Sequence, residues 1–192
     1  MRSKRKPSSS HRPRKSGAIR SARRTNWPGR ASIEDRWDRL IEKVRDEIRI
    51  GTAVGITPRF LSVEACWKRN VYAFTLANTK TEAESRNLKR YVEDLILSNE
   101  DRRLPDSPTF EICPFHWVFS ALAASRTWEI DRRKAFRFGR HLLYAKQHRV
   151  PEEFLIGFLH QVGTPSEVEK KAGSGATEIW RDRWISASQS LN

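Results

Sequence analysis

Between Ile33 and Gly51 the apolar residues Ile33, Trp37, Leu40, Ile41, Val44 and Ile48 recur at spacings of three and four. At 3.6 residues per turn this spacing gathers them on one side of a helix, whereas the two-residue alternation of a strand would scatter them over both faces. Ser32 stands where a cap belongs, and Glu34 and Asp35 occupy the first turn, near the positive end of the helix dipole. The same stripe returns at Leu88, Tyr91, Val92, Leu95 and Ile96, after Thr81 and Glu84 in capping-box spacing. A further helix is predicted from Thr57-Pro58 through Phe60, Leu61, Val63, Cys66 and Trp67 to Leu76, with Thr57 as cap and Pro58 as its first residue. No alternating apolar run exceeds a few residues and no repeat is present. The expected fold class is therefore all-α, a compact bundle of about six to eight helices.

The rest of the chain continues the pattern. Residues 99–108, NEDRRLPDSP, are polar and proline-bearing, and the stretch 99–110 is the best internal break. Pro114 to Ser125 is apolar on every side, which predicts a central buried helix. An arginine-rich helix follows over Asp131 to His148 and ends at Val150-Pro151. Glu152 and Glu153 open another helix that Gly163 closes, and Thr164-Pro165 with Glu167 starts a short one. After Gly173-Ser174-Gly175 comes a last segment containing Ile179, Trp180 and Trp184.

Charge is distributed unevenly. The formal net charge is +14, yet residues 1–30 hold eleven basic residues and no acid, leaving 26 basic against 23 acidic residues over 31–192. The domain is thus nearly balanced, and the excess sits in an N-terminal arm: Arg2, Lys4, Arg5, Lys6, Arg12, Arg14, Lys15, Arg20, Arg23, Arg24 and Arg30. With six serines, three prolines or glycines and almost nothing apolar before Thr25, the arm has too little surface to bury to offset its ordering entropy, so it is expected to be disordered by itself. The expected division is an arm over 1–30 and a helical domain over 31–192.

The first thirty residues lack the apolar centre of a signal peptide, and the longest apolar run, Ile112 to Ala124, is broken by His116 and too short for a membrane span. Cys66 and Cys113, isolated from each other, read as small buried hydrophobes in a reducing compartment. A soluble intracellular protein of cytoplasm or nucleus is expected.

One helix carries the functional signal. On a wheel at about 100° per residue, Arg133, Lys134, Arg137, Arg140, His141, Tyr144, Gln147 and His148 fall within an arc of roughly 140° that contains no carboxylate. Ala135, Phe136, Phe138, Gly139, Leu142, Leu143 and Ala145 make the opposite half. Like charges three and four residues apart, as in Arg133, Arg137 and Arg140, each cost a few tenths of a kcal/mol, about 0.2–0.5, and a polyanion would relieve that cost. Arginine forks match phosphate oxygens, and Tyr144 is placed to stack on a base. The bland alternative is that these arginines pair with acids on other helices. Trp37, Trp67, Trp117, Trp180 and Trp184 sit at core spacing, whereas Trp27, between Asn26 and Pro28, suits a docking anchor. Residues 152–171 have the outline of a helix-turn-helix, but SEVEKKAG offers few groups for base edges, and an ordinary helical hairpin is the better reading.

Enzymatic patterns are missing. There is no HExxH, CxxC or glycine-rich phosphate loop, and Asp106 with Glu111 lacks the lysine that would complete a nuclease site. His141 and His148 stand among arginines, a poor setting for a metal cation. No cofactor and no metal are expected. The sequence points to a non-enzymatic protein that binds nucleic acid, DNA or RNA, through the arm and the acid-free helix face. Its rival is a helical interaction or assembly module for a protein partner, with the arm as an address: a nuclear import signal around Lys4-Arg5-Lys6 and Pro13-Arg14-Lys15, or a transit peptide. An anionic membrane surface is a further partner for such an arm.

Overall fold

Capping explains where most of the helices begin. In the computed structural model of the chain, residues 32–53, 62–98, 103–125 and 130–178 are described. The first helix, α1 (Ile33–Ala53), starts where the Asp35 amide donates to the Ser32 hydroxyl at 3.1 Å, and it buries Trp37, Leu40 and Val44. Next comes α2 (Val63–Ala77), whose cap is Ser62, its hydroxyl accepting from the Ala65 amide at 3.2 Å. The helix thus starts later than Thr57-Pro58 implied. Ser62 has an extended ψ of 152°, as a cap does, and the expected start itself lies outside the described residues.

The capping box of α3 (Glu82–Leu97) is formed as its spacing predicted, with Thr81 and Glu84 each accepting the other's amide proton at 3.2 Å. Leu88, Val92 and Ile96 make its buried stripe. Almost every side chain of α4 (Pro114–Ala124) is buried, so the central helix expected from its all-round apolarity is present. Beside it runs α5 (Arg132–Gln147), capped by Asp131, which accepts from the Lys134 amide at 2.7 Å. A 3₁₀ turn over Glu152–Phe154 leads into α6 (Leu155–Val162), and α7 (Pro165–Ser174) begins in a second capping box, Thr164 with Glu167. Gly175, in the left-handed region at φ 67°, stops it. The described residues are all helix and connecting loop, as expected.

One continuous core joins these elements. Trp37 meets Phe74 edge-on at 5.7 Å, linking α1 to α2, and Tyr72 stacks on Phe115 at 5.6 Å, linking α2 to α4. The Tyr72 hydroxyl donates to the Val150 carbonyl at 2.8 Å, which ties α2 to the loop after α5. Trp37, Trp67 and Trp117 are core residues, as their spacing implied, and both cysteines are buried free thiols. Trp27, Trp180 and Trp184 lie outside the described residues.

At Gly139 the backbones of α4 and α5 come close together. A Cβ placed on Gly139 would stand 2.7 Å from the Cα of His116 and 2.9 Å from its backbone nitrogen, so only glycine lets the helices come this close. The Gly139 carbonyl also accepts a long hydrogen bond from the Cys113 thiol at 3.5 Å. This contact sets the depth at which His116 lies beneath α5.

Candidate nucleic-acid interface

The first turn of α5 runs against ordinary helix electrostatics. After the Asp131 cap come Arg132, Arg133 and Lys134, three cations at the positive end of the dipole, where each is disfavoured by about 0.3–1 kcal/mol. Asp131 offsets part of this, since the Lys134 amide that it caps holds its carboxyl below the usual range. Arg132 and Arg133 are exposed, whereas Lys134, Arg137 and Arg140 are half-buried. Arg132 approaches Asp106 at 3.9 Å, an open surface pair of little energetic weight. Among the described residues Arg133, Arg137 and Arg140 form no ion pair. The predicted pairing of these arginines with acids of other helices is therefore not seen there. Arg140 instead lies 5.5 Å from the Phe136 ring centroid and against Gly173 of α7.

The second half of the proposed face is corrected by the structure. His141 is 2% exposed, its Nε2 3.0 Å from the Pro165 carbonyl, to which it donates; burial, helped by Lys68, pushes its pKa down to about 4. It is neutral at pH 7 and has no charge to offer a phosphate. Tyr144 is fully buried against His148 and Phe158, and its hydroxyl donates to Glu178 at 2.8 Å, so the ring is not open to a base. His148 donates from Nδ1 to the Tyr144 carbonyl at 2.8 Å and accepts the Glu178 amide proton at Nε2 at 3.0 Å, so both ring nitrogens are engaged inside the protein. Lys171 completes this network by donating to Glu178 at 2.7 Å and to the Val162 carbonyl at 3.1 Å. The cause is topological: α7 and the segment after it lie across the C-terminal half of α5. The acid-free arc is real, but these three residues of it are inside the protein.

What stays accessible borders a cleft of about 750 Å³. One wall is the start of α5, with Arg132, Arg133, Phe136 and Arg137; Ser107 closes one side, and Ser166 and Glu169 of α7 stand on another. At the inner end is His116 of α4, only 4% exposed, with its ring edge-on to Phe136 at 5.4 Å. Burial, reinforced by Arg132, pushes the His116 pKa down to about 4. Its Nδ1 is buried without a hydrogen-bond partner, an uncommon state for a buried polar atom. His116 and Arg132 also line a smaller hollow of about 210 Å³, to which Arg103 contributes.

Lys68 adds a cation from α2. Its Nζ sits 4.4 Å over the Phe138 ring; burial pushes its pKa down, Glu64 opposes this and Arg137 reinforces it. Sequence reading missed Lys68, Arg103, Ser107, His116 and Ser166 because they come from stretches of chain outside α5 and only the packing brings them to it. His116 alone carried a signal, as the polar interruption of an apolar run. The arm cations Arg2, Lys4, Arg5, Lys6, Arg12, Arg14, Lys15, Arg20, Arg23 and Arg24 lie outside the described residues. Among the described residues no three His, Cys, Asp or Glu side chains assemble as a metal site, and no helix is long and apolar enough to cross a membrane.

No protein-family model, curated protein or solved structure matches this chain.

Proposed function

We propose that the chain is a non-enzymatic nucleic-acid-binding protein, in which the acid-free arm supplies sequence-independent phosphate attraction and the N-terminal half of α5 supplies a folded second contact. The observation that carries this reading is the first two turns of α5. Arg132, Arg133, Lys134 and Arg137 gather at the positive end of a helix, and Arg133 and Arg137 have no ion-pair partner among the described residues. Such a cluster raises the free energy of the isolated protein and lowers it again when an anion arrives. Guanidinium forks match phosphate oxygens two at a time, which favours phosphate over a diffuse anionic surface. His141, Tyr144 and His148 take no part.

The test is a titration of the full chain with single-stranded DNA, single-stranded RNA and phosphatidylserine vesicles over a salt series. With about five arm contacts and two or three from α5, log K for a single strand should fall against log salt with a slope of about −5 to −6. Either strand should bind more tightly than the vesicles. Absence of binding at about 50 mM salt, where counterion release is strongly favourable, would refute the reading and favour an assembly module. Tighter binding to vesicles would move the partner to a membrane surface.

A further inference from the structure

The cleft beside α5 has more room than phosphate contact along a backbone requires, about 750 Å³, and the buried His116 is among the residues that line it. An internal phosphodiester lies within a continuous strand and meets side chains that stand out from the protein surface, as Arg132 and Arg133 do. It does not reach an imidazole that is 4% exposed. A group that projects from the end of a strand is free to enter the cleft that this residue lines.

The charge of the lining points the same way. Three guanidiniums, Arg132, Arg133 and Arg137, face one carboxylate, Glu169, and His116 is neutral, so the walls carry a net charge of plus two. A phosphate monoester carries a charge of about −1.5 to −2 at pH 7 and three strong acceptor oxygens, whereas a diester carries a single charge. Donors for those oxygens are present and unspent: the hydroxyls of Ser107 and Ser166 make no hydrogen bond to another described residue, and the His116 Nδ1 has no partner.

We infer that this cleft seats the terminal phosphate monoester of a nucleic-acid strand, with Arg133 and Arg137 gripping its oxygens and His116 donating from the inner end. The inference rests on the nucleic-acid reading above and adds recognition of a strand end to it. Phe136 borders the same cleft and offers an apolar face to the terminal sugar or base.

The experiment compares short strands of one sequence that end in a 5′-phosphate, a 3′-phosphate or hydroxyls alone, each titrated with the full chain by fluorescence anisotropy. One of the phosphorylated ends should bind about tenfold more tightly than the hydroxyl-ended strand, the effect of one charge-assisted hydrogen bond. In the Arg133→Gln/Arg137→Gln variant that preference should vanish, while the arm still binds the hydroxyl-ended strand. His116→Phe, which fills the same space without Nδ1, should reduce the preference severalfold. Should it fail to fold, the arginine pair still decides the matter, since Arg133 is exposed and Arg137 half-buried. Excess nucleoside monophosphate should abolish the preference and leave the remaining binding in place. Equal affinity of the parent protein for all ends overturns the inference and leaves the nucleic-acid reading standing, as does a preference that survives in the double variant. Failure of every strand to bind overturns both. Tighter binding to phosphatidic acid vesicles than to the phosphorylated strand overturns it in favour of a lipid headgroup.

Discussion

Arg132→Gln, Arg133→Gln and Arg137→Gln, combined in the full chain, should weaken binding to a single strand about a hundredfold at about 0.1 M salt and make the salt slope shallower by about 2. The magnitude follows from counterion release. Three phosphate contacts at about 0.7 each give two units of slope, and a decade of salt below the point where the electrostatic contribution vanishes turns two units into a factor of about one hundred. Stability should move the other way or not at all. The substitutions remove three cations from the positive end of α5 and, among the described residues, break only one ion pair, the exposed 3.9 Å contact of Arg132 with Asp106. Glutamine keeps good helix propensity at each position. Parent-like binding combined with early melting would identify the arginines as structural partners and remove α5 from the binding surface.

The largest structural effect should come from a single methyl group. Gly139→Ala is expected to destabilise the fold by about 1–3 kcal/mol, because the new Cβ meets backbone atoms of His116 that cannot rotate away, so α4 and α5 must separate. For a domain of this size that lowers the thermal midpoint by about 2–4 °C per kcal/mol. Gly157 in α6 is the control. A Cβ there meets nothing within 4 Å, so Gly157→Ala should stabilise by about 0.4–1 kcal/mol through the entropy of the unfolded chain. Opposite signs for the same substitution in two helices, read by chemical denaturation, would establish that the α4–α5 contact is set by the absence of a side chain. A neutral Gly139→Ala would show that the helices relax freely, and the depth of His116 would then not be fixed by this contact.

How far the sequence alone carries the reading differs between helices and site. Helix starts were legible where a side chain and its partner lie three residues apart, as in Thr81 with Glu84 and Thr164 with Glu167, because the capping interaction is local. The start of α2 was less so. Thr57 and Ser62 are both capping residues, and the structure uses Ser62. The all-round burial of α4 was legible because an element without a polar face has no other place to go.

The candidate site was half legible, for a physical reason. Helical periodicity tells which side chains share a face of α5, but not how much of that face another element covers. His141, Tyr144 and His148 are amphipathic: each lies on a polar arc in the sequence and enters a core once its polar atoms find partners. Those partners, the Pro165 carbonyl and Glu178, are 24 and 30 to 34 residues away along the chain, beyond any local pattern. The arginines differ because a guanidinium is expensive to bury unpaired, so Arg132 and Arg133 stay at the surface whatever packs nearby. His116 was visible only as a flaw in an apolar run, and its relation to Arg133 and Arg137 exists only after α4 and α5 meet at Gly139.

The central claim is that the folded residues hold phosphate independently of the arm, and the most direct measurement is the salt dependence of single-strand binding by residues 31–192 alone. With two or three contacts left on α5, log K should still fall against log salt with a slope of about −2, and affinity should remain measurable at about 50 mM salt. Introducing the three glutamines into this fragment should then abolish the residual slope. A fragment that keeps its helical circular dichroism and melts like the parent, yet binds no strand at that salt, would contradict the account and leave the arm as the only contact with nucleic acid.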